Sequence, residues 1–150
     1  MDTDLHFSSA SDMWSTPQDF FDALNGIFNF TLDVCANAEN TKCENYFTEE
    51  QNGLEQEWTG TCFMNPPYGR TIGAWMSKAY SASKDNNATV VCLVPARTDT
   101  KWWTQYAIHG EIYFVVGRLK FGNQPNAAPF PSAIVVFRPK IENIIKCYKL

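Results

Sequence analysis

An α/β fold, a mostly parallel sheet with helices on both faces, is what this sequence predicts, and three observations carry that expectation. Apolar runs of strand length alternate with helix-spaced segments through the middle of the chain, the order that builds a sheet through crossover connections. One run, Thr89 to Val94, is apolar throughout, as a strand covered on both faces must be. At 150 residues, 45% hydrophobic and 19% charged, the chain matches one domain, which at that size buries about 68–70% of the surface its unfolded form exposes.

Met1 to Asp12 carries three aspartates and several small polar residues and reads as a flexible N-terminus. It has no basic start followed by an apolar run, so it is neither a signal peptide nor an anchor. Ser15-Thr16-Pro17-Gln18-Asp19 reads as a helix start, with Thr16 as N-cap, Pro17 at the first helical position and Asp19 meeting the dipole. The helix is expected to stop at Asn25-Gly26, with Phe20, Phe21, Leu24 and Phe28 on its core face. Phe28 to Val34 then reads as a short buried strand ending at Asp33, followed by the small-residue turn Cys35-Ala36-Asn37-Ala38.

From Ala38 to Glu57 the sequence is polar and irregular, too short for a full helix and strand. Thr61 to Met64 is the next strand, and Ile72, Trp75, Met76 and Ala79 mark one side of a helix over 72–83. Thr89 to Val94 ends at Pro95-Ala96-Arg97-Thr98. Lys101 to Ile108 reads as a helix, and Glu111 to Val116 and Ala133 to Phe137 as an antiparallel strand pair at one edge of the sheet. Gly117 to Ser132 joins them as a long loop with three prolines, two glycines and Phe121; loops beyond about 12–15 residues in compact domains are usually functional or mobile.

The bulk numbers exclude several classes. No apolar stretch approaches the length of about 20 residues that crosses a bilayer, so a cytosolic location is expected, that of a host cell if the chain is phage-encoded. The five cysteines form an odd set without a C-x-x-C pair, which points to reduced thiols and no metal. The net charge of −4 excludes binding to nucleic acid through a general basic field, so any such contact is local. Arg70, Lys78, Arg97, Lys101, Arg118 and Lys120 fall near the ends of expected strands, whereas acids crowd into residues 39–57.

The chemistry concentrates in Asn65-Pro66-Pro67-Tyr68. Such a segment can simply be a loop that stops a sheet. Two consecutive prolines, however, fix two torsions and remove two N–H donors, leaving carbonyls without local partners. Beside them stand an amide oxygen and an aromatic ring. An exocyclic amino group offers two in-plane N–H donors on a flat ring, and it matches that acceptor cluster and stacking face together. The pattern implies methylation of an amino nitrogen.

Trp14-x-Thr16-Pro17, Leu32-Asp33-Val34-Cys35-Ala36, Gly53-Leu54 with Trp58, Asn65-Pro66-Pro67-Tyr68 and Leu93-Val94-Pro95-Ala96-Arg97-Thr98 occur in this order over nearly the whole chain, and together they resemble the phage-type DNA adenine methyltransferase family. The resemblance implies a class I methyltransferase-like (Rossmann-like) fold, S-adenosylmethionine as donor and the 6-amino group of adenine in DNA as acceptor. On that basis Asn65 accepts one hydrogen bond from the target amine, the carbonyl of Pro66 accepts the other, Pro67 completes the rigid turn and Tyr68 stacks on the extruded base. Asp33 orients the methionine end of the donor, the Trp14, Thr16 and Pro17 corner closes over it beside Asn65, and Cys35, Ala36 and Asn37 bring backbone close. Arg70, Arg97, Lys101 and Arg118 are the candidates for contacts to DNA.

The chain departs from the broader pattern twice. The turn after Asp33 holds no glycine, and no acid follows a second strand to hold the ribose. Glu49 or Glu50, or packing by Tyr46-Phe47, are the substitutes on offer. Cytosine 4-amino groups, adenine in RNA and protein glutamine present the same planar amine, and a non-catalytic nucleic-acid reader would keep the same fold.

Overall fold

A computed structural model describes residues 13–140 and 144–149. The N-terminal residues 1–12, expected to be flexible, lie outside the described residues. In chain order the elements are α1 (Gln18–Phe28), β1 (Leu32–Asp33), a 3-10 turn (Gly53–Glu55), β2 (Thr61–Met64), α2 (Ile72–Asp85), β3 (Thr89–Pro95), α3 (Lys101–Gln105), a second 3-10 turn (Ala107–His109), β4 (Glu111–Val115), β5 (Ser132–Phe137) and β6 (Ile145–Tyr148).

These strands form one six-stranded sheet in the order β1-β2-β3-β5-β4-β6. β1, β2 and β3 run parallel, β5 is antiparallel to both β3 and β4, and β6 is parallel to β4. Five strands therefore point one way and β5 is reversed. Phe63 and Phe137 show how both faces are covered. Phe63 pairs with Val91 and meets Phe21 of α1 edge-on at 5.1 Å. Phe137 pairs with the preceding residue, Val90, and meets Tyr80 of α2 at 5.7 Å. Adjacent residues of a strand point to opposite faces, so α1 and α2 pack on opposite sides.

The expected α/β architecture is present, with four differences in detail. Thr16 does not cap α1: the cap position is held by Pro17, extended at ψ 136° and without a side-chain cap bond, while the Thr16 hydroxyl faces Asn65. α1 also runs past Asn25-Gly26 to Phe28, where Asn29 takes the left-handed conformation (φ 55°) and returns its N–H to the Asn25 carbonyl. An exposed glycine near a helix end costs only about 1 kcal/mol, less than burying the α1 face returns. Third, the antiparallel pair is not at the edge. β5 is buried along its whole length between β3 and β4, and the edge beyond β4 is β6, whose largely exposed residues show no apolar period to read. The helix expected over 101–108 divides at Tyr106 into α3 and the second 3-10 turn.

On the other edge the sheet stops at β1. Residues 45–47 lie along it, with the N–H of Asp33 donating to the Asn45 carbonyl and that of Phe47 to the Asp33 carbonyl, both at 3.0 Å. This single bridge stands where a further strand would otherwise begin. No described helix is long and apolar enough to cross a membrane.

Candidate active site

The carboxyl ends of β1 and β2 lie side by side because Asp33 pairs with Phe63, and ligands of open α/β sheets bind outside such strand ends. A narrow cleft with only about 20 Å³ of free space forms there between the segment 13–16, the turn after β1 and the start of the proline turn, and Asp33, Cys35 and Asn65 line it together with Trp14 and Thr16. Five candidates widely separated in the chain thus meet in one place.

Asn65 sits at the floor of this cleft as the first residue after β2. Its side-chain Nδ2 donates to the Trp14 carbonyl oxygen and, at 2.9 Å, to the Thr16 hydroxyl. Its Oδ1 is buried and has no hydrogen-bond partner among the described residues. A buried amide oxygen without a donor costs about 1–3 kcal/mol, so the fold retains an acceptor that a ligand can satisfy. The adjacent Pro66 is buried, and no described residue donates to its carbonyl.

Asp33 stands opposite, 3% exposed. Its carboxylate accepts long hydrogen bonds of 3.3 Å from the backbone N–H groups of Cys35 and Lys42. Burial outweighs them and raises its pKa to about 6. A buried carboxylate with weak partners favours a cation beside it.

The turn after β1 is built without glycine by another route. Gly53 supplies the close approach: a Cβ there would lie 2.2 Å from the Val34 carbonyl and 3.1 Å from the Trp75 ring. The carbonyl of Gly53 accepts from the indole Nε1 of buried Trp58 at 2.8 Å. Gly53, Leu54 and Trp58 therefore back the wall of the cleft rather than line it.

The model of the DNA N-6-adenine-methyltransferase (Dam) family matches residues 5–148 of the chain. This protein belongs to that family. The chain is similar to a DNA N-6-adenine-methyltransferase of Haemophilus phage HP1, 35% identical over 142 residues that cover 88% of this chain and 82% of the relative. A protein of the same description from Escherichia phage T1 is 34% identical over 97 residues, 63% of this chain and 40% of that longer relative.

In this Dam-family protein Tyr68 does not present an open stacking face. It is 4% exposed, its hydroxyl donates to the Leu93 carbonyl at 2.9 Å, and its ring lies against Trp14 (centroids 6.5 Å apart, planes at 20°). Phe121 and Phe130 meet it edge-on at 6.2 and 5.7 Å. Burial pushes its hydroxyl well above the ordinary tyrosine pKa. The Tyr68 face becomes available to a base only if Trp14 moves. Pro67 is half-buried in the same turn.

The remaining candidates separate from the cleft. Pro17 opens α1, the Ala36 N–H is spent on the Phe47 carbonyl, and Asn37 forms a local turn, its Oδ1 accepting from the N–H groups of Glu39 and Asn40. Asn40 and Lys42 line the cleft in their place. Arg70, Arg97 and Lys101 meet around a second, larger groove between the start of α2 and the β3–α3 turn. All three are exposed, and Arg97 lies over the Phe130 ring at 5.7 Å, which joins this groove to the aromatic cluster. Arg118 is not among them: its guanidinium Nη1 approaches the Ala128 carbonyl at 3.4 Å within its own loop.

Asn123 is the residue that sequence reading missed. Its Oδ1 accepts from the Ser15 N–H and its Nδ2 donates to the Met13 carbonyl, both at 2.9 Å, while the Gly122 N–H donates to the Ser15 carbonyl. The long loop thereby clamps residues 13–15 rather than projecting from the surface. Only its mixture of asparagines and phenylalanines hinted at such a role. The thiols of Cys35, Cys43 and Cys62 are pushed up to about 12, 11 and 12 by burial, so none is a ready nucleophile.

Proposed function

We propose that this protein transfers a methyl group from S-adenosylmethionine to the 6-amino group of adenine in DNA, and the observation that carries the reading is the buried Oδ1 of Asn65 beside the Pro66 carbonyl, neither of which has a donor among the described residues. The chemistry of the residues lining the cleft suits such a donor. Asp33 would hold its ammonium, which answers the poorly compensated carboxylate, with Trp14 and Thr16 along the same wall. Glu49 or Glu50 would hold the ribose hydroxyls. When bound, the donor supplies an electrophilic methyl group on a sulfonium.

An aryl amine is a weak nucleophile because its lone pair is delocalised into the ring. Asn65 Oδ1 and the Pro66 carbonyl accept its two N–H bonds and draw the hydrogens to one side. The nitrogen becomes pyramidal and its lone pair points away from both acceptors. These contacts strengthen as positive charge develops on nitrogen, so they lower the barrier more than they tighten the ground state. Neither acceptor is basic enough to keep the surplus proton, which passes to water.

The base must first leave the duplex at a cost of a few kcal/mol, which stacking on an aromatic ring offsets by about 1–3 kcal/mol. Trp14 and Tyr68 are the rings beside the acceptors. Arg70, Arg97 and Lys101 would hold the phosphates on either side.

The test is direct. Incubating the protein with methyl-labelled donor and DNA, RNA or protein in turn, followed by digestion and chromatography, is expected to place the label on N6-methyladenine from DNA. Label on cytosine, on RNA adenine or on glutamine, or no transfer with retained DNA binding, would overturn the reading.

A further inference from the structure

Thr16 does more in the cleft than line its wall. The residue is 6% exposed, and its hydroxyl meets the amide of Asn65. A primary amide has two nearly isosteric ends, and a swing of half a turn about its last bond exchanges donor for acceptor. At position 65 the two ends are not equivalent. The Trp14 carbonyl can only accept, so the end facing it must be the NH2 group. Thr16 takes the second N–H of that group. Oδ1 is therefore turned away from both, and among the described residues it is the atom left unpaired.

We infer that Thr16 is a positioning residue: with the Trp14 carbonyl it locks the Asn65 amide so that its oxygen faces the amine to be methylated. This rests on the proposed methyl transfer and gives Thr16 a duty different from contact with the donor. The lock also explains why the position suits asparagine rather than aspartate. A carboxylate would set one of its oxygens against the Trp14 carbonyl oxygen, with no proton between them. The Thr16 hydroxyl could turn to donate, but the carbonyl could not.

The clamp extends outward. Trp14 is held because Ser15 and Met13 are bonded by Asn123, so three links connect the long loop to the amide: Asn123 to the backbone at 13–15, that backbone to Nδ2, and Thr16 to Nδ2.

Thr16→Val keeps the shape and removes the hydroxyl, whereas Thr16→Ser keeps the hydroxyl. The single-turnover rate at saturating donor and DNA is expected to fall about tenfold in Thr16→Val, the value of one hydrogen bond in the transition state, and to stay near wild type in Thr16→Ser. Calorimetry with S-adenosylhomocysteine is expected to give the same affinity in all three proteins. The side-chain amide protons of Asn65, assigned in NMR spectra by their loss in Asn65→Asp, are expected to exchange slowly in wild type and Thr16→Ser and quickly in Thr16→Val.

A Thr16→Val protein that binds S-adenosylhomocysteine tenfold more weakly but reacts normally at saturation would overturn the inference and assign Thr16 to the donor. Unchanged amide exchange in that variant would also overturn it. Because exchange is read without turnover, a wild type that methylates no adenine would sink the functional proposal and leave the lock separately testable.

Discussion

The cleft at the ends of β1 and β2 and the groove between α2 and the β3–α3 turn are neighbours built on opposite principles. In the cleft the polar groups are buried and few: among the described residues Asn65 Oδ1 has no partner and the Asp33 carboxylate has two long ones. In the groove Arg70, Arg97 and Lys101 are exposed to water, and Arg97 rests on a ring. A buried group without a partner is costly and selects what can satisfy it, whereas an exposed cation adds affinity with little selectivity and is screened by salt. On the proposed function, chemistry and grip on the substrate would be held in different places. That division would let a chain of net charge −4 act on a polyanion, because only one face needs to be cationic.

Breaking the cleft has the largest expected effect. Asn65→Ala removes one acceptor of the transition state and should lower the methyl-transfer rate by about 10²–10³, with S-adenosylhomocysteine affinity and DNA affinity largely kept. Loss of DNA binding in step with rate would erase the division between the two regions.

Asp33 gives the next effect, and its signs are opposite in the free and bound protein. The folded carboxyl titrates near 6 against an ordinary value of 3.8. The folded state therefore binds the extra proton between those values, and the unliganded protein loses stability as pH rises through that window. The affinity for the donor's ammonium should instead rise over the same window. Denaturant midpoints and calorimetry with S-adenosylhomocysteine between pH 4.5 and 7.5 check both. Asp33→Asn should flatten both profiles, weaken binding at least tenfold and stabilise the free protein at pH 7.5 by about 1–2 kcal/mol.

The groove should respond through salt. Alanine at Arg70, Arg97 or Lys101 is expected to reduce the slope of log affinity against log salt by about 0.9 for each phosphate no longer neutralised, with the saturated rate unchanged. Arg118→Ala, outside the groove, should leave the slope alone. A slope equally sensitive to all four would spread the grip over the surface.

The smallest effect is assigned to Tyr68→Phe. Losing the hydroxyl bond to the Leu93 carbonyl should cost about 1 kcal/mol of stability while the ring still fills the aromatic cluster, so rate should change less than twofold to threefold. Tyr68→Ala would empty that cluster and cost about 3–5 kcal/mol, visible as a lowered melting temperature before any defect in transfer.

Much of this was legible in the chain. Continuous apolar patterning over 89–94 and helical spacing over 72–83 survive as β3 and α2 because burial period is a local property of sequence. The proline turn was legible too, since two prolines constrain the backbone wherever they fall. The short β1, the interior placement of β5 and the exposed edge β6 were not, because strand order depends on long-range pairing that leaves little local trace.

The acceptor motif, the acid at the end of β1 and the sparse charge are matters of residue chemistry and short spacing, and the chain alone displays them. Folding settles how they combine: Trp14 and Thr16 hold the Asn65 amide, Asn123 holds residues 13–15, Tyr68 is covered, and Arg118 stands apart from the cations of the groove. The physical reason is that hydrogen-bond partners 49 to 110 residues apart are chosen by the packing of the sheet and loops, and no local pattern records that choice.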